Sequence, residues 1–331
     1  MVMKIIAEVG VNHNGSLLKA KKYIDICKSI GVDYVKFQLA IPSLVVTNSA
    51  SKANYQKMIS NKNETQLDML KKVHLSLSEY KKLFLYSKNK KIDLIFSAFD
   101  QKSLKFLIKL NPKILKIPSG EIDNFLDLRF LKNYKGKILI SSGMCEIKDI
   151  EELIFFLKSI KIKKSQIVLM HCNSDYPTKY RDVNLNVLDD FKKKYNFDLG
   201  YSDHTTDDIV GIACAVKKIN FFEKHITFSQ KLSGPDHKAS MEVNEFKKMI
   251  LRIRSIEKCL GKSTKKVTKS EILNKKHVRK SLRLNKNIKK GQKITFEDII
   301  SMRPADGVSP KLFNNYINKV AKKNYSKFDK I

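Results

Sequence analysis

Short runs of aliphatic and β-branched residues recur along the chain, and between them lie longer stretches whose apolar positions return at helical spacing. The runs predicted as strands are Lys4–Glu8, Tyr34–Gln38, Asp93–Ser97, Ile114–Ile117, Ile138–Ser141, Ile167–His171, Leu199–Ser202 and Phe221–His225. Amphipathic spacing predicts helices over Leu17–Ser29, Ser78–Asn89 and Ile147–Ile160; the first carries Leu17, Leu18, Ile24 and Cys27 interleaved with lysines. Strand-then-helix alternation specifies a parallel sheet. Eight such units within the first 260 residues give an α/β chain with the arithmetic of a (β/α)8 TIM barrel. No G-x-G-x-x-G follows the first strand, as an open dinucleotide-binding sheet would show.

Polar residues fall at one edge of these runs. In a barrel, residues of one parity point inward, and those at the C-terminal strand ends form the active site. The parity of Ile6 carries Glu8. The second run brings Lys36 and Gln38 to one face, and the third ends on Ser97. The fourth run leads to Lys116, Ser119 and Glu121, the fifth to Ser142, and the sixth to Ser174 and Tyr176. The seventh gives Ser202 and His204, and the eighth His225. One polar strand end is ordinary, because lysine stems snorkel. Packing does not explain all eight ending this way. His204 and His225 close consecutive strands, and neighbouring strands run about 5 Å apart, so two imidazoles there suit one divalent cation such as Zn, Fe, Ni, Cu or Mn. Lys36 and Lys116 among serine hydroxyls suit a phosphate plus a carboxylate. A Schiff-base lysine is the competing chemistry. His13 reads as structural, and His74 and His277 as surface residues.

Composition narrows the picture. With 42% hydrophobic and 30% charged residues, the chain has a sizeable core, and no window approaches a membrane span. With no signal pattern at Met1–Glu8, a cytoplasmic protein is expected. The five cysteines are odd in number, with no C-x-x-C pair, which reads as free thiols; Cys172, beside His171, is the one to watch. The net charge of +32 raises a nucleic-acid partner. Lysines spread over the whole chain, with no helix-turn-helix, finger or RNA-binding aromatic motif, argue against one; a positive field also draws in anionic substrate. Residues 1–260 are read as the catalytic barrel. Residues 261–276, GKSTKKVTKSEILNKK, are polar and basic and read as a linker, and 277–331 as a small module of strands and turns.

Taken in order, several segments resemble the sialic acid synthase family. They are A-E-V-G-V-N-H-N-G (7–15), V-K-F-Q (35–38), K-I-P-S-G-E-I (116–122), S-S-G-M (141–144), H-C-N-S-D-Y-P-T (171–178), G-Y-S-D-H-T (200–205), E-K-H-I-T (223–227) and G-P-D-H-K-A-S (234–240). R-K-S-L (279–282) and M-R-P-A-D-G-V-S-P (302–310) are similar to the antifreeze-like (SAF) domain that ends those enzymes. The resemblance implies condensation of phosphoenolpyruvate with an amino-sugar aldehyde, helped by a divalent metal, Mn2+ before Mg2+ or Co2+, on His204 and His225. It implies Lys36, Ser97, Lys116, Ser119, Ser142, Ser174 and Ser202 around phosphoenolpyruvate, with Gln38 beside them. It implies Glu8 or Glu121 as general base, Tyr176 and Asp236 on sugar hydroxyls, and Arg303 reaching the sugar from the partner of a domain-swapped homodimer. Neither nucleic acid nor membrane is an expected partner. Tyr55-Gln56, Thr65-Gln66-Leu67, Gly120-Glu121-Ile122 and Gly234–Ser240 look closer to the legionaminic-acid branch than to the neuraminic-acid branch. The chain departs from the family pattern at Ser97 (commonly Thr), Ala98 (usually Pro), Ser174 (Asn in some members) and the A-D-G after Pro304.

Overall fold

The computed structural model describes residues 2–52 and 64–331. Tyr55-Gln56 lies outside the described residues. All eight predicted strands form, most a residue or two longer than expected: β1 Lys4–Gly10, β2 Tyr34–Leu39, β3 Asp93–Ala98, β4 Ile114–Ile117, β5 Lys137–Ser141, β6 Ile167–Cys172, β7 Asp198–Asp203 and β8 Phe221–Thr227. Each pairs in parallel with the next, and β1 pairs with β8, so the sheet closes into a (β/α)8 barrel. A two-residue strand, β9 Met241–Glu242, pairs in parallel with the end of β8.

Alternation along the strands divides the core into two layers. Ile6, Ile95, Ile114, Leu139, Val168, Met170 and Phe221 point inward and fill the barrel. The opposite parity, including Ile5, Phe37, Phe96 and Phe222, packs under the surrounding helices. The helices follow the apolar spacing. Leu17–Ile30 buries Ala20, Tyr23, Ile24, Cys27 and Ile30; it starts at the Ser16 cap and stops at Gly31, whose φ of 85° ends the helix in the left-handed region. Leu77–Asn89 starts from a capping box in which Ser76 and Glu79 bond each other's backbone.

The chain divides into two compact units, Met1–Gly261 and Lys262–Ile331. In the second unit, β10 Ser281–Leu284 and β11 Ile299–Met302 pair antiparallel. A small core of Leu284, Ile288, Ile294 and Ala321 holds it, and Asp306 ties Arg283 to Lys330. The polar stretch expected to be linker is partly ordered. Lys269–Val278 is a helix started by a Thr268–Glu271 capping box, and it buries none of its side chains. Arg303 lies exposed just past β11.

Candidate active site

The parallel register sets polar residues side by side at the C-terminal ends of the strands. Glu8 stands between Lys36 and His225, Ser97 between Gln38 and Lys116, and Ser202 between Cys172 and Glu223. Together they line a cavity of 410 Å³, which also takes in Ser119, Ser141, Ser174, Tyr176, His204, Gln66 and His74.

Four buried charges form its floor. Lys36 Nζ lies 2.7 Å from Glu8 Oε1 and 3.7 Å from Glu223 Oε1. Lys116 Nζ lies 2.5 Å from the same Glu223 oxygen, which also accepts from Ser202 Oγ at 2.9 Å. Gln38 Nε2 donates to Glu8 Oε1 at 3.0 Å. Burial alone would discharge all four groups. For Glu223 it is outweighed by Lys116 and Lys36, which hold the carboxyl below its usual range. For Lys36 it is outweighed by Glu223 and Glu8, which keep the ammonium above its ordinary value. For Lys116 burial prevails, helped by the Lys36 charge, and its affinity for a proton falls. Burial also prevails at Glu8, against Lys36 and with Glu223, so this carboxyl is raised. Asp236 is raised to about 7 by burial and by the Glu8 charge. A Cβ on Gly10 would sit 3.3 Å from both Asp236 Oδ2 and Glu8 Oε1, so the two carboxyls share one corner.

A second corner lies around Gly143. Its N–H donates to Ser119 Oγ at 3.0 Å, and Ser119 Oγ lies 3.3 Å from Cys172 Sγ. A Cβ at this position would come within 2.2 Å of Ser174 Oγ, so only glycine lets these hydroxyls converge. Cys172, flagged in the sequence, is therefore part of the wall, and the five cysteines are all free.

The two strand-end histidines meet. Their ring centroids are 5.8 Å apart, and the Tyr176 ring lies tilted against His204 at 4.1 Å. His204 Nδ1 lies 2.5 Å from the carbonyl of Asn173, a bond that leaves Nε2 as the lone-pair nitrogen. His225 Nδ1 is buried without a hydrogen-bond partner among the described residues. Both are pushed down to about 3 by burial first, His204 further by the adjoining His225 imidazole and His225 further by the Lys36 ammonium, so they are neutral at pH 7. A neutral imidazole with an available lone pair is the metal-binding form, and the pair fits a divalent cation. Among the described residues no set of three or more His, Cys, Asp or Glu side chains converges on one point, so water or substrate oxygen would complete the shell.

Several sequence readings need correcting. Ser142 does not face the cavity: its hydroxyl donates to the Met170 carbonyl at 3.1 Å. Ser141, which shares the inward parity of Leu139, lines the cavity instead, and its hydroxyl has no partner among the described residues. Glu121 is set apart from Glu8. Its carboxylate accepts from Asn124 at 2.7 Å and lines a small neighbouring hollow with Asp100 and Asp127. His74 is no surface residue; it lines the cavity, pushed down to about 4 by burial. Glu223 was overlooked, although it shares the parity of His225. Asp236 lines a side pocket of the main cavity with Gln38, Tyr176 and His225. Arg303 belongs to the second unit.

A closed barrel whose strand ends present two buried lysines, a ring of hydroxyls and two neutral imidazoles defines an enzyme built for an anionic, oxygen-rich small molecule. The comparisons with known proteins agree: the chain belongs to the NeuB family, whose sequence profile matches residues 23–265. It is 40% identical over 321 residues to an N,N'-diacetyllegionaminic acid synthase of Campylobacter jejuni, covering 97% of this chain and 96% of that protein. A Legionella pneumophila protein of the same name is 37% identical, with 98% and 92% covered. Among solved structures, an N-acetylneuraminic acid synthetase from Leptospira borgpetersenii in complex with citrate matches with a TM-score of 0.70 and 28% identity, over 83% of this chain and 90% of that one.

Proposed function

We propose that this protein condenses phosphoenolpyruvate with an N-acetylated mannosamine-type aldehyde, 2,4-diacetamido-2,4,6-trideoxymannose ahead of N-acetylmannosamine. The products are N,N'-diacetyllegionaminate, or N-acetylneuraminate, and inorganic phosphate. The observation that carries this reading is the buried Lys36–Glu8 and Lys116–Glu223 set beside two neutral histidines in one cavity of a NeuB-family barrel. C3 of the enol phosphate attacks the aldehyde carbon, water adds at C2, and the C–O bond to phosphate breaks. A divalent cation on His204 and His225, Mn2+ before Mg2+ or Co2+, would act there as a Lewis acid toward the aldehyde oxygen.

The chain's own groups then divide the work. Lys36 and Lys116 hold the phosphate and carboxylate, with Ser97, Ser119, Ser141, Ser174 and Ser202 as hydroxyl donors. Glu8, raised by burial and close to Asp236, is the better-placed of the two candidate bases to take a proton from the water. Tyr176, Asp236 and Gln66 face the side where the sugar would lie. The legionaminate preference rests on the two full-length relatives of that name and on Thr65-Gln66-Leu67, Gly120-Glu121-Ile122 and Gly234–Ser240. Residues 277–331 are read as an antifreeze-like module, and the active form as a homodimer in which Arg303 of each copy serves the other's barrel. The deciding assay is phosphate release from phosphoenolpyruvate with each sugar in turn. Release that depends on the diacetamido sugar supports the reading, and no release with either sugar overturns it.

The lowered proton affinity of Lys116 is what a Schiff-base aldolase would need. Borohydride trapping of a pyruvyl adduct on Lys116 would replace the synthase reading with that one.

A further inference from the structure

Asp203 and Lys224 take no part in the cavity. Alternation sends Ser202 and Glu223 inward and the next residue of each strand outward, and the β7–β8 register pairs Asp203 directly with Lys224. Both side chains are buried among the apolar groups beneath the helices, at 1% and 2% exposure. Lys224 Nζ donates to Asp203 Oδ2 at 2.6 Å and to the Thr205 carbonyl at 2.7 Å. Asp203 Oδ1 accepts from the Thr205 N–H and from Thr205 Oγ1, each at 2.9 Å. These bonds close around a single residue, His204, which lies between Asp203 and Thr205. Lys224, the bridge, is the residue immediately before His225. His204 is gripped further by the Thr178 N–H on its carbonyl at 2.9 Å and by Asn173 at its Nδ1.

A buried ion pair is seldom more stabilising than an apolar pair of the same volume. Stability therefore gives no reason for a charged pair on an otherwise apolar face, at the one point where both strand-end histidines begin. We propose that Asp203, Lys224 and Thr205 form a positioning cluster that sets the separation and ring orientation of His204 and His225. None of the three touches a reacting atom. The proposal rests on the two-histidine reading of the site.

The test uses the full-length, metal-stripped protein in four forms: wild type, Lys224→Met, Thr205→Val and Thr205→Ser. Thr205→Val keeps shape and removes one hydroxyl, so it folds even where Lys224→Met does not. Calorimetric titration with Mn2+ reads affinity apart from turnover. Loss of such outer partners typically weakens metal binding about 10–100-fold. That loss is expected for Lys224→Met, a smaller one for Thr205→Val, and near wild-type affinity for Thr205→Ser. The His204 Nδ1 proton, followed by 15N-histidine NMR without metal, is expected to stay sharp in wild type and Thr205→Ser and to broaden in the other two. Unchanged affinity with only a lowered melting temperature would reduce the cluster to a barrel support and overturn the proposal. If wild type binds no Mn2+, the metal reading fails separately. The proton signal then decides: the same resonance in all four forms refutes the cluster, and selective broadening upholds it.

Discussion

Lys116 Nζ and Glu223 Oε1 lie 2.5 Å apart although one stands on β4 and the other on β8, so this ion pair spans the barrel instead of joining neighbouring strands. The same carboxylate oxygen reaches Lys36 of β2 at 3.7 Å. Glu223 is therefore the shared counter-charge of both buried cavity lysines. An anionic substrate entering the cavity must replace or join it.

Glu223→Gln follows directly. Removing one member of a buried charge set costs about 3–5 kcal/mol, because the remaining charges lose their partner. A substrate phosphate can supply the missing negative charge. The variant should melt earlier than wild type, yet gain more from added phosphoenolpyruvate. Thermal melts with and without the ligand measure both. An equal or smaller ligand shift in the variant would remove Glu223 from the anion site.

Lys36→Ala and Lys116→Ala should each raise the KM for phosphoenolpyruvate far more than the KM for the sugar. A charge-assisted contact contributes about 1.5–3 kcal/mol, roughly 10–150-fold in KM. Each change also strands a buried carboxylate, so the kinetics belong well below the melting range. Equal effects on both substrates would argue that the lysines only hold the barrel together.

His204→Ala and His225→Ala should each abolish metal-dependent turnover with the circular dichroism of the barrel intact. One imidazole alone leaves the cation with a single protein ligand among the described residues, and calorimetry on the purified variants should find no tight Mn2+ site. Near-normal metal binding in either variant would dismantle the two-histidine centre.

How much of this was legible beforehand depends on the kind of signal. The strands were readable because both core layers are apolar, and barrel strands buried on both faces carry continuous apolar runs. Glu8, Lys36, Gln38, Ser97, Lys116, His204 and His225 followed from parity. Ser142 and Glu223 show parity misapplied. Leu139 fixes Ser141 as the inward serine, and His225 fixes Glu223, but a charge inside the run F-F-E-K-H carries no local signal beyond that parity. His74 was not readable, since its burial comes from a helix end folding over β2, which no local pattern records. The helix at Lys269–Val278 could have been seen from Thr268 and Glu271, a capping box masked by the lysines around it.

The dimer reading makes its own demand. If Arg303 serves the partner's barrel, mixing His204→Ala with Arg303→Ala subunits and allowing exchange creates some heterodimers with one intact site. Part of the activity should return, up to half the share of mixed dimers, since each carries one intact site of two. Mass-resolved heterodimers without any recovery would refute the arrangement in trans.

The last prediction concerns acid. His13 is fully buried between Phe37 and Tyr80, and neither ring nitrogen has a hydrogen-bond partner among the described residues. Burial, aided by the nearby His74, pushes it down to about 3 from an ordinary 6.5. Above pH 6.5 the ring is neutral in both folded and unfolded chains, and its contribution to stability is complete. Below 6.5 the unfolded chain binds a proton that the folded chain refuses, so stability falls with pH until the folded ring also protonates near 3. Taken alone the group is worth roughly 4 kcal/mol across that window. His13→Leu removes the titration and two unpaired polar atoms while keeping most of the volume. At pH 8 its melting temperature should match or exceed wild type, and between pH 6.5 and 4 it should fall less steeply. Melts at half-unit pH steps give both curves. Parallel curves, or a variant that melts below wild type at pH 8, would mean that His13 is held by a bond the fold cannot spare.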